Sequence, residues 1–215
     1  MAQEHPVVIT YGGSYLNEDA LRALGIASVG RNVAVHSTCV MVGLDRLSVG
    51  SNVRIDPFTC LIAGSGSIRI GDHVHIAGYV FLSGAAGLVI EDFVGLSRGV
   101  TVYTRNDDYS GAALTGPTVP EKYLAITSGP VTIGRHVVLG ASTIVLPGLV
   151  IGEGATVGSL SLVKQDLAPW GIYAGVPARR LRDRSRAMLE READLLREER
   201  LVGAAARPGD EILDG

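Results

Sequence analysis

The sequence predicts an all-β chain wound into a parallel β-helix, on three observations. A short phrase returns along it: Val29-Gly-Arg-Asn-Val, Val49-Gly-Ser-Asn-Val, Ile70-Gly-Asp-His-Val, Ile90-Glu-Asp-Phe-Val, Ile133-Gly-Arg-His-Val and Ile151-Gly-Glu-Gly-Ala, with openings 20, 21, 20, 43 and 18 residues apart. Within each repeat an aliphatic or small residue tends to come back at every sixth position. Aromatic residues make up only 5% of the chain while glycine supplies 28 residues, the composition of a narrow Val/Ile/Leu/Ala core with glycine at its corners.

The period has a geometric cause. A side of about six residues, extended at roughly 3.3 Å per residue, must end in a turn that suits Gly, Asn, Asp or His, so three sides consume about 18 residues. One coil cannot bury its aliphatic residues alone. Stacking coils about 4.8 Å apart supplies both the hydrogen bonds and the core.

Residues 1–28 precede the repeats. They hold a short helix candidate, Asn17-Glu-Asp-Ala-Leu-Arg-Ala-Leu, with Asn17 as N-cap and Gly25 as stop, which is expected to cap the first coil. The β-helix is expected over 29–167. Its regularity breaks at 105–130, where a segment beginning Arg105-Asn-Asp-Asp-Tyr-Ser-Gly and carrying Pro117 and Pro120 leaves the stack as a loop; long ordered loops on solenoids are disproportionately functional. A C-terminal segment follows over 168–215. Met188, Leu189, Leu195 and Leu196 give it a helical period over about 184–201, and the tail from Gly203 reads as frayed.

The remaining composition excludes several classes. A net charge of −3 and the lack of a basic run interleaved with aromatics argue against nucleic acid as partner. The N-terminus lacks a basic start followed by an apolar block, and no apolar stretch approaches the ~20 residues that span a bilayer, so a cytoplasmic protein without membrane insertion is expected. Cys39 and Cys60 lie one coil apart and read as two buried thiols rather than a disulfide.

Two further stretches carry a resemblance. Gly171-Ile-Tyr-Ala-Gly-Val-Pro-Ala-Arg-Arg-Leu, following Gly154-Ala-Thr-Val-Gly-Ser-Leu-Ser-Leu-Val-Lys-Gln-Asp, looks like the end of the hexapeptide-repeat acetyltransferases that act on sugars. The chain is similar to maltose and galactoside O-acetyltransferases and, through Asp107-Asp-Tyr-Ser-Gly with Pro117-Thr-Val-Pro-Glu behind it, more so to acetyltransferases of polysaccharide and O-antigen clusters. The resemblance implies a left-handed β-helix, a homotrimer with active sites between protomers, and acetyl-CoA as cosubstrate without a metal. It also implies that Gly140, Ala141, Gly158 and Ser159 flank the pantetheine arm, and that Lys164, Arg179 and Arg182 lie near the CoA phosphates. Family members often read Thr-Lys where this chain has Lys164-Gln165. Small residues suit a ligand that approaches the backbone, and cationic donors suit phosphate oxygens.

Transfer to a sugar hydroxyl needs a base, and an imidazole with an ordinary pKa near 6.5 is suited to it. Many family members carry that histidine in or beside the loop, which here has none. Of the five histidines, His73 and His136 share the coil position of Asn32, Asn52 and Phe93 and read as turn residues. His5 precedes the fold and His36 lies in the first coil. His75 occupies the place held by Arg54, Gly95 and Val138 in other coils, with Gly95 leaving room beside its ring.

The expected base is therefore His75, with Asp107 or Asp108 orienting it or binding a sugar hydroxyl; Tyr79, Tyr109 and Arg105 are the expected acceptor contacts. His75 and the loop fall on different sides of a coil, so they meet only if the loop folds over an edge or arrives from a neighbouring protomer. The main expectation is O-acetylation of a sugar or surface-polysaccharide precursor. The alternative is N-acetylation of a nucleotide-linked amino sugar, whose neutral amine attacks without a strong base. A zinc hydrase like the γ-class carbonic anhydrases needs three converging histidines, which His73, His75 and His136 do not offer at this spacing. A non-catalytic scaffold would not need the Ala-Gly-Val-Pro element.

Overall fold

The computed structural model describes residues 13–205. Its first compact unit ends at Arg184 and its second begins at Ser185. In the first, short strands stack into three sheets that form the walls of a parallel β-helix. Face 1 has nine strands in the order Tyr15–Leu16, Val33–His36, Val53–Ile55, His75–Ile76, Gly95–Leu96, Val138–Leu139, Thr156–Val157, Gly171–Ala174 and Arg179–Asp183. Faces 2 and 3 have six each. Face 2 includes Cys60–Ile62, Phe81–Ser83 and Thr101–Val102, and face 3 includes Leu47–Val49, Ile68–Ile70 and Leu88–Ile90.

Register explains why the sequence repeats as it does. On face 1 the inward residues Val35, Ile55, Ile76, Leu96, Leu139, Val157 and Tyr173 stand in one line, each paired with the next. On face 3, Val49, Ile70, Ile90, Ile133 and Ile151 do the same, and every one is buried. Burying such a side chain is worth about 1.5–3 kcal/mol, and only the neighbouring rungs make that burial possible.

The edge between faces 3 and 1 is built from left-handed residues: Asn32, Asn52, His73, Phe93, His136 and Trp170 all have φ between 54° and 62°. The expectation that His73 and His136 are turn residues holds. Their side chains form a ladder, from Asn32 Nδ2 donating to Asn52 Oδ1 at 2.8 Å, to His73 stacked on Phe93 at 4.6 Å, to Phe93 against His136 at 5.2 Å. Gly154 interrupts that row because a Cβ there would lie 2.5 Å from the Trp170 ring. Glu91 replaces the usual glycine, and its carboxylate accepts a bond from the Arg135 backbone N–H at 2.9 Å, joining the coil before the inserted loop to the coil after it.

The N-terminal helix, Glu18–Ala23, is capped by Asn17, whose side chain accepts from Ala20 N at 3.1 Å, and ends before Gly25 at φ 91°. The strand Tyr15–Leu16 adds antiparallel to face 1. The Cys thiols are free and half-buried rather than fully buried; Cys39 Sγ donates to the Asp56 carbonyl at 3.3 Å. His5 lies outside the described residues.

The loop is pinched at its base, where Arg105–Asn106 pairs antiparallel with Thr127–Ser128. At the other end, Gly171–Ala174 and Arg179–Asp183 form a hairpin that closes face 1, and Arg184 Nη1 donates to the carbonyls of His136 and Gly154 at 2.6 and 3.0 Å. The second unit contains one helix, Met188–Ala205. Among the described residues no helix is long and apolar enough to cross a membrane.

Candidate active site

His75 opens a strand of face 1 with its side chain outward, 56% exposed, while Ile76 beside it is buried. Its cross-strand partners are Arg54 on one rung and Gly95 on the next. His75 Nε2 lies 2.8 Å from Asp56 Oδ2. Asp56 Oδ1 accepts from Arg54 Nε at 2.7 Å and from the Tyr15 hydroxyl at 2.8 Å, and Arg54 Nη2 donates to that same hydroxyl at 2.8 Å.

The four side chains form one charged network. Partial burial of Asp56 works to raise its pKa, but the bonds from Arg54, His75 and Tyr15 together prevail and bring it down to about 2. Burial and the bond to Asp56 raise the Tyr15 phenol, and the Asp56 carboxylate raises the Arg54 guanidinium. With Asp56 accepting a proton at Nε2, Nδ1 of a neutral His75 presents a lone pair outward. That is the arrangement of an oriented base.

Beside His75 on the same face runs a column of small outward residues: Ala77, Ser97, Gly140, Gly158 and Ala174 stand in line on successive rungs, whereas the column of His75 itself continues as Gly95, Val138, Thr156 and Ile172. A Cβ at Gly140 would lie 2.5 Å from Ser159 N, so glycine is required there by the backbone itself, whereas one at Gly158 would come no closer than 3.2 Å, to the Ala174 Cβ. Ala141 and Ser159 continue the turns after these glycines. Lys164 is exposed, and Arg179 and Arg182 are exposed on the closing hairpin strand of face 1; Arg179 Nη1 donates to Gln165 at 3.4 Å.

The loop residues stand elsewhere. The loop leaves after face 2 and returns to face 3, so its root is on the edge opposite face 1, and within one chain Asp107 and Asp108 are not brought to His75. The Asp108 carboxylate accepts from Ser110 N, Ser110 Oγ, Ala112 N and Ala113 N at 2.9–3.3 Å, which lowers its pKa and ties the loop together. Asp107 is not part of that knot. Tyr109 is 85% exposed and donates to Asn106, and Arg105 lines a small hollow with Glu121, Leu124 and Ser128. Tyr79 sits on the edge between faces 1 and 2 at φ 63°, against Phe58 at 5.1 Å and under Arg98 at 4.8 Å. Among the described residues no group of three His, Cys, Asp or Glu is placed to hold a metal.

Sequence reasoning missed Asp56, Arg54 and Tyr15 as partners of His75. The signal for two of them was present, since Arg54 and Asp56 are alternate residues at the strand Val53–Ile55 and just past its end, and Arg54 shares its coil position with His75.

No protein-family model matches the chain. A dTDP-4-amino-4,6-dideoxy-D-glucose acyltransferase from Escherichia coli is 41% identical over 180 residues, covering 84% of this chain and 94% of the relative. The crystal structure of AntD, an N-acyltransferase from Bacillus cereus, in complex with dTDP and 3-hydroxybutyryl-CoA, superposes with a TM-score of 0.83 at 39% identity over 87% of this chain and 98% of that one. The E. coli K12 putative lipopolysaccharide biosynthesis O-acetyl transferase WbbJ is 28% identical over 137 residues, 63% of this chain and 67% of the relative. The chain thus belongs to the hexapeptide-repeat acyltransferases.

Proposed function

We propose that the protein transfers an acyl group, acetyl in the simplest case, from CoA to the amine of a nucleotide-linked amino sugar in the cytoplasm. The alignment with the dTDP-amino-sugar acyltransferase, nearly end to end on the relative, carries this reading. It reverses the order of the two acceptors expected from sequence, and it suits a loop that contains no histidine.

The small residues of face 1 fit an extended donor. Gly140, Gly158 and Ala174 let the pantetheine arm lie against the backbone, flanked by Ala141 and Ser159, with Lys164, Arg179 and Arg182 near its phosphates. The thioester carbon then falls at the gap left by Gly95, beside His75. The sugar amine attacks that carbon, the C–S bond breaks, the CoA thiolate leaves, and the amine proton passes to His75 Nδ1. Asp56 holds the ring throughout.

The same proposal makes the enzyme a homotrimer. Face 2 turns Val40, Val42 and Ile144 outward, and the adjoining edge carries Phe58, Tyr79 and Leu160, the last 72% exposed. Such an apolar strip suits burial between protomers. Tyr79 then serves the interface, and a neighbouring loop brings Asp107, Tyr109 and Arg105 to the acceptor while Asp108 keeps the loop folded.

Transfer to a hydroxyl is the second reading, favoured by the likeness to WbbJ. Thiol release from acetyl-CoA with dTDP-4-amino-4,6-dideoxyglucose and with dTDP-glucose as acceptors separates them. The amine alone should be consumed, and turnover of the hydroxyl sugar alone reverses the assignment.

A further inference from the structure

We infer, resting on the reading above, that Arg54 anchors the diphosphate of the acceptor on the outer surface of face 1, one rung from His75. Asn32, Asn52, Arg54, Asp56, His73 and His75 line a concavity of about 580 Å³ there, a size within the range of ligand pockets.

The guanidinium is fixed on one side and open on the other. Nε is spent on Asp56 and one Nη2 hydrogen on Tyr15, whose ring also lies 4.9 Å from Cζ. Both Nη1 hydrogens and the second Nη2 hydrogen have no partner among the described residues, and the side chain is 61% exposed. A brace between Tyr15 and the coil needs only the engaged edge. The open edge presents parallel N–H donors in the planar fork that matches phosphate oxygens two at a time.

The one carboxylate in the concavity does not oppose an anion strongly. Asp56 is 18% exposed and both its oxygens are occupied by Arg54, Tyr15 and His75. The other walls are the neutral Asn32 and Asn52 and the His73 ring.

Arg54, His75 and Gly95 are successive register partners, so the open fork stands two rungs, about 10 Å, from the gap at Gly95. That distance takes a phosphate and one hexose ring. A diphosphate held at Arg54 therefore delivers the far side of its sugar to the place where His75 and the thioester meet, and leaves the later rungs to the donor.

The test is calorimetric titration of dTDP and, separately, CoA into the wild type and Arg54→Met, with thermal unfolding of each. The expected result is a dTDP affinity at least about tenfold weaker in the variant, as for loss of a charge-assisted bidentate contact, and a CoA affinity changed less than about twofold. Arg54→Lys, which keeps the charge without the fork, should lose dTDP affinity in the same direction and carries the test if Arg54→Met does not fold. Unchanged dTDP affinity, or no dTDP binding by the wild type, overturns the inference, and so does a loss confined to CoA, which would place the donor's diphosphate there. A wild type that acylates the amino sugar while Arg54→Met keeps its acceptor KM sinks the anchor and leaves the function standing. Weakened dTDP binding by a protein that transfers no acyl group does the opposite.

Discussion

His75 is held by Asp56: the imidazole Nε2 and the carboxylate Oδ2 are 2.8 Å apart on neighbouring rungs of the same face. One coil supplies the ring and the preceding coil the group that orients it, so the pair exists only because the rungs stack in register. Beside His75 on face 1, Ala77 and Ser97 head the column that continues as Gly140, Gly158 and Ala174, the row that the proposal gives to the acyl donor.

Removing the imidazole should therefore cost chemistry rather than binding. His75→Ala is expected to lower kcat by about 10²-fold or more with the KM for acetyl-CoA within a few-fold of wild type. Asp56→Asn, which leaves the ring but not its orientation, should fall between the two. Steady-state kinetics over both substrates checks this, and wild-type kcat in His75→Ala removes the base from the account.

Asp56 also makes a prediction about acid stability. Its folded pKa, about 2, lies below the ordinary aspartate value near 3.9. A depressed carboxylate contributes stability that is complete above the unfolded value and is lost as pH falls from about 4 towards 2. Denaturant midpoints should drop across that window, and the drop should be shallower in Asp56→Asn. An identical profile in the variant contradicts the bonding described for this carboxylate.

The loop aspartates should separate by phenotype. Asp108 ties four donors of its own loop, so Asp108→Ala should expose the loop to limited proteolysis and lower activity with it. Asp107→Asn should leave the loop protease-resistant and lower kcat. Equal proteolysis of both variants would show that the two residues share one structural role.

On the donor side, Gly158→Ala should raise the KM for acetyl-CoA by roughly tenfold while the protein stays folded, because the tightest contact of its Cβ is the Ala174 Cβ at 3.2 Å and the Tyr173 carbonyl oxygen lies at an ordinary 3.6 Å. Gly140→Val should fail to fold stably, since its Cβ would press on the backbone of Ser159. Circular dichroism melts with parallel kinetics distinguish these outcomes.

Much of this architecture was legible in the chain because a β-helix writes its period directly into the sequence. Ile70, Ile90 and Ile133 announce one wall, and Asn52, His73, Phe93 and His136 announce one edge through a shared left-handed turn. What was not legible depends on pairings outside that period. Tyr15 reaches Asp56 because a two-residue strand adds antiparallel to the first coil, which no repeat predicts. The C-terminal helix begins at Met188, later than the expected 184, because Arg179–Asp183 pairs back on Gly171–Ala174 and Arg184 is spent on carbonyls of the edge; in the sequence those charges look like a helix start. Asp107 and Asp108 look equivalent until the fold shows which one holds the loop.

The most direct test of the account is a crystal structure of the protein with CoA and a dTDP-linked amino sugar bound. The CoA sulfur is expected over the outer surface of face 1, within about one strand spacing, ~5 Å, of the Gly95 rung and beside His75, with a second protomer against face 2. A sulfur lying along face 3, or a monomer whose CoA passes nowhere near His75, would contradict it.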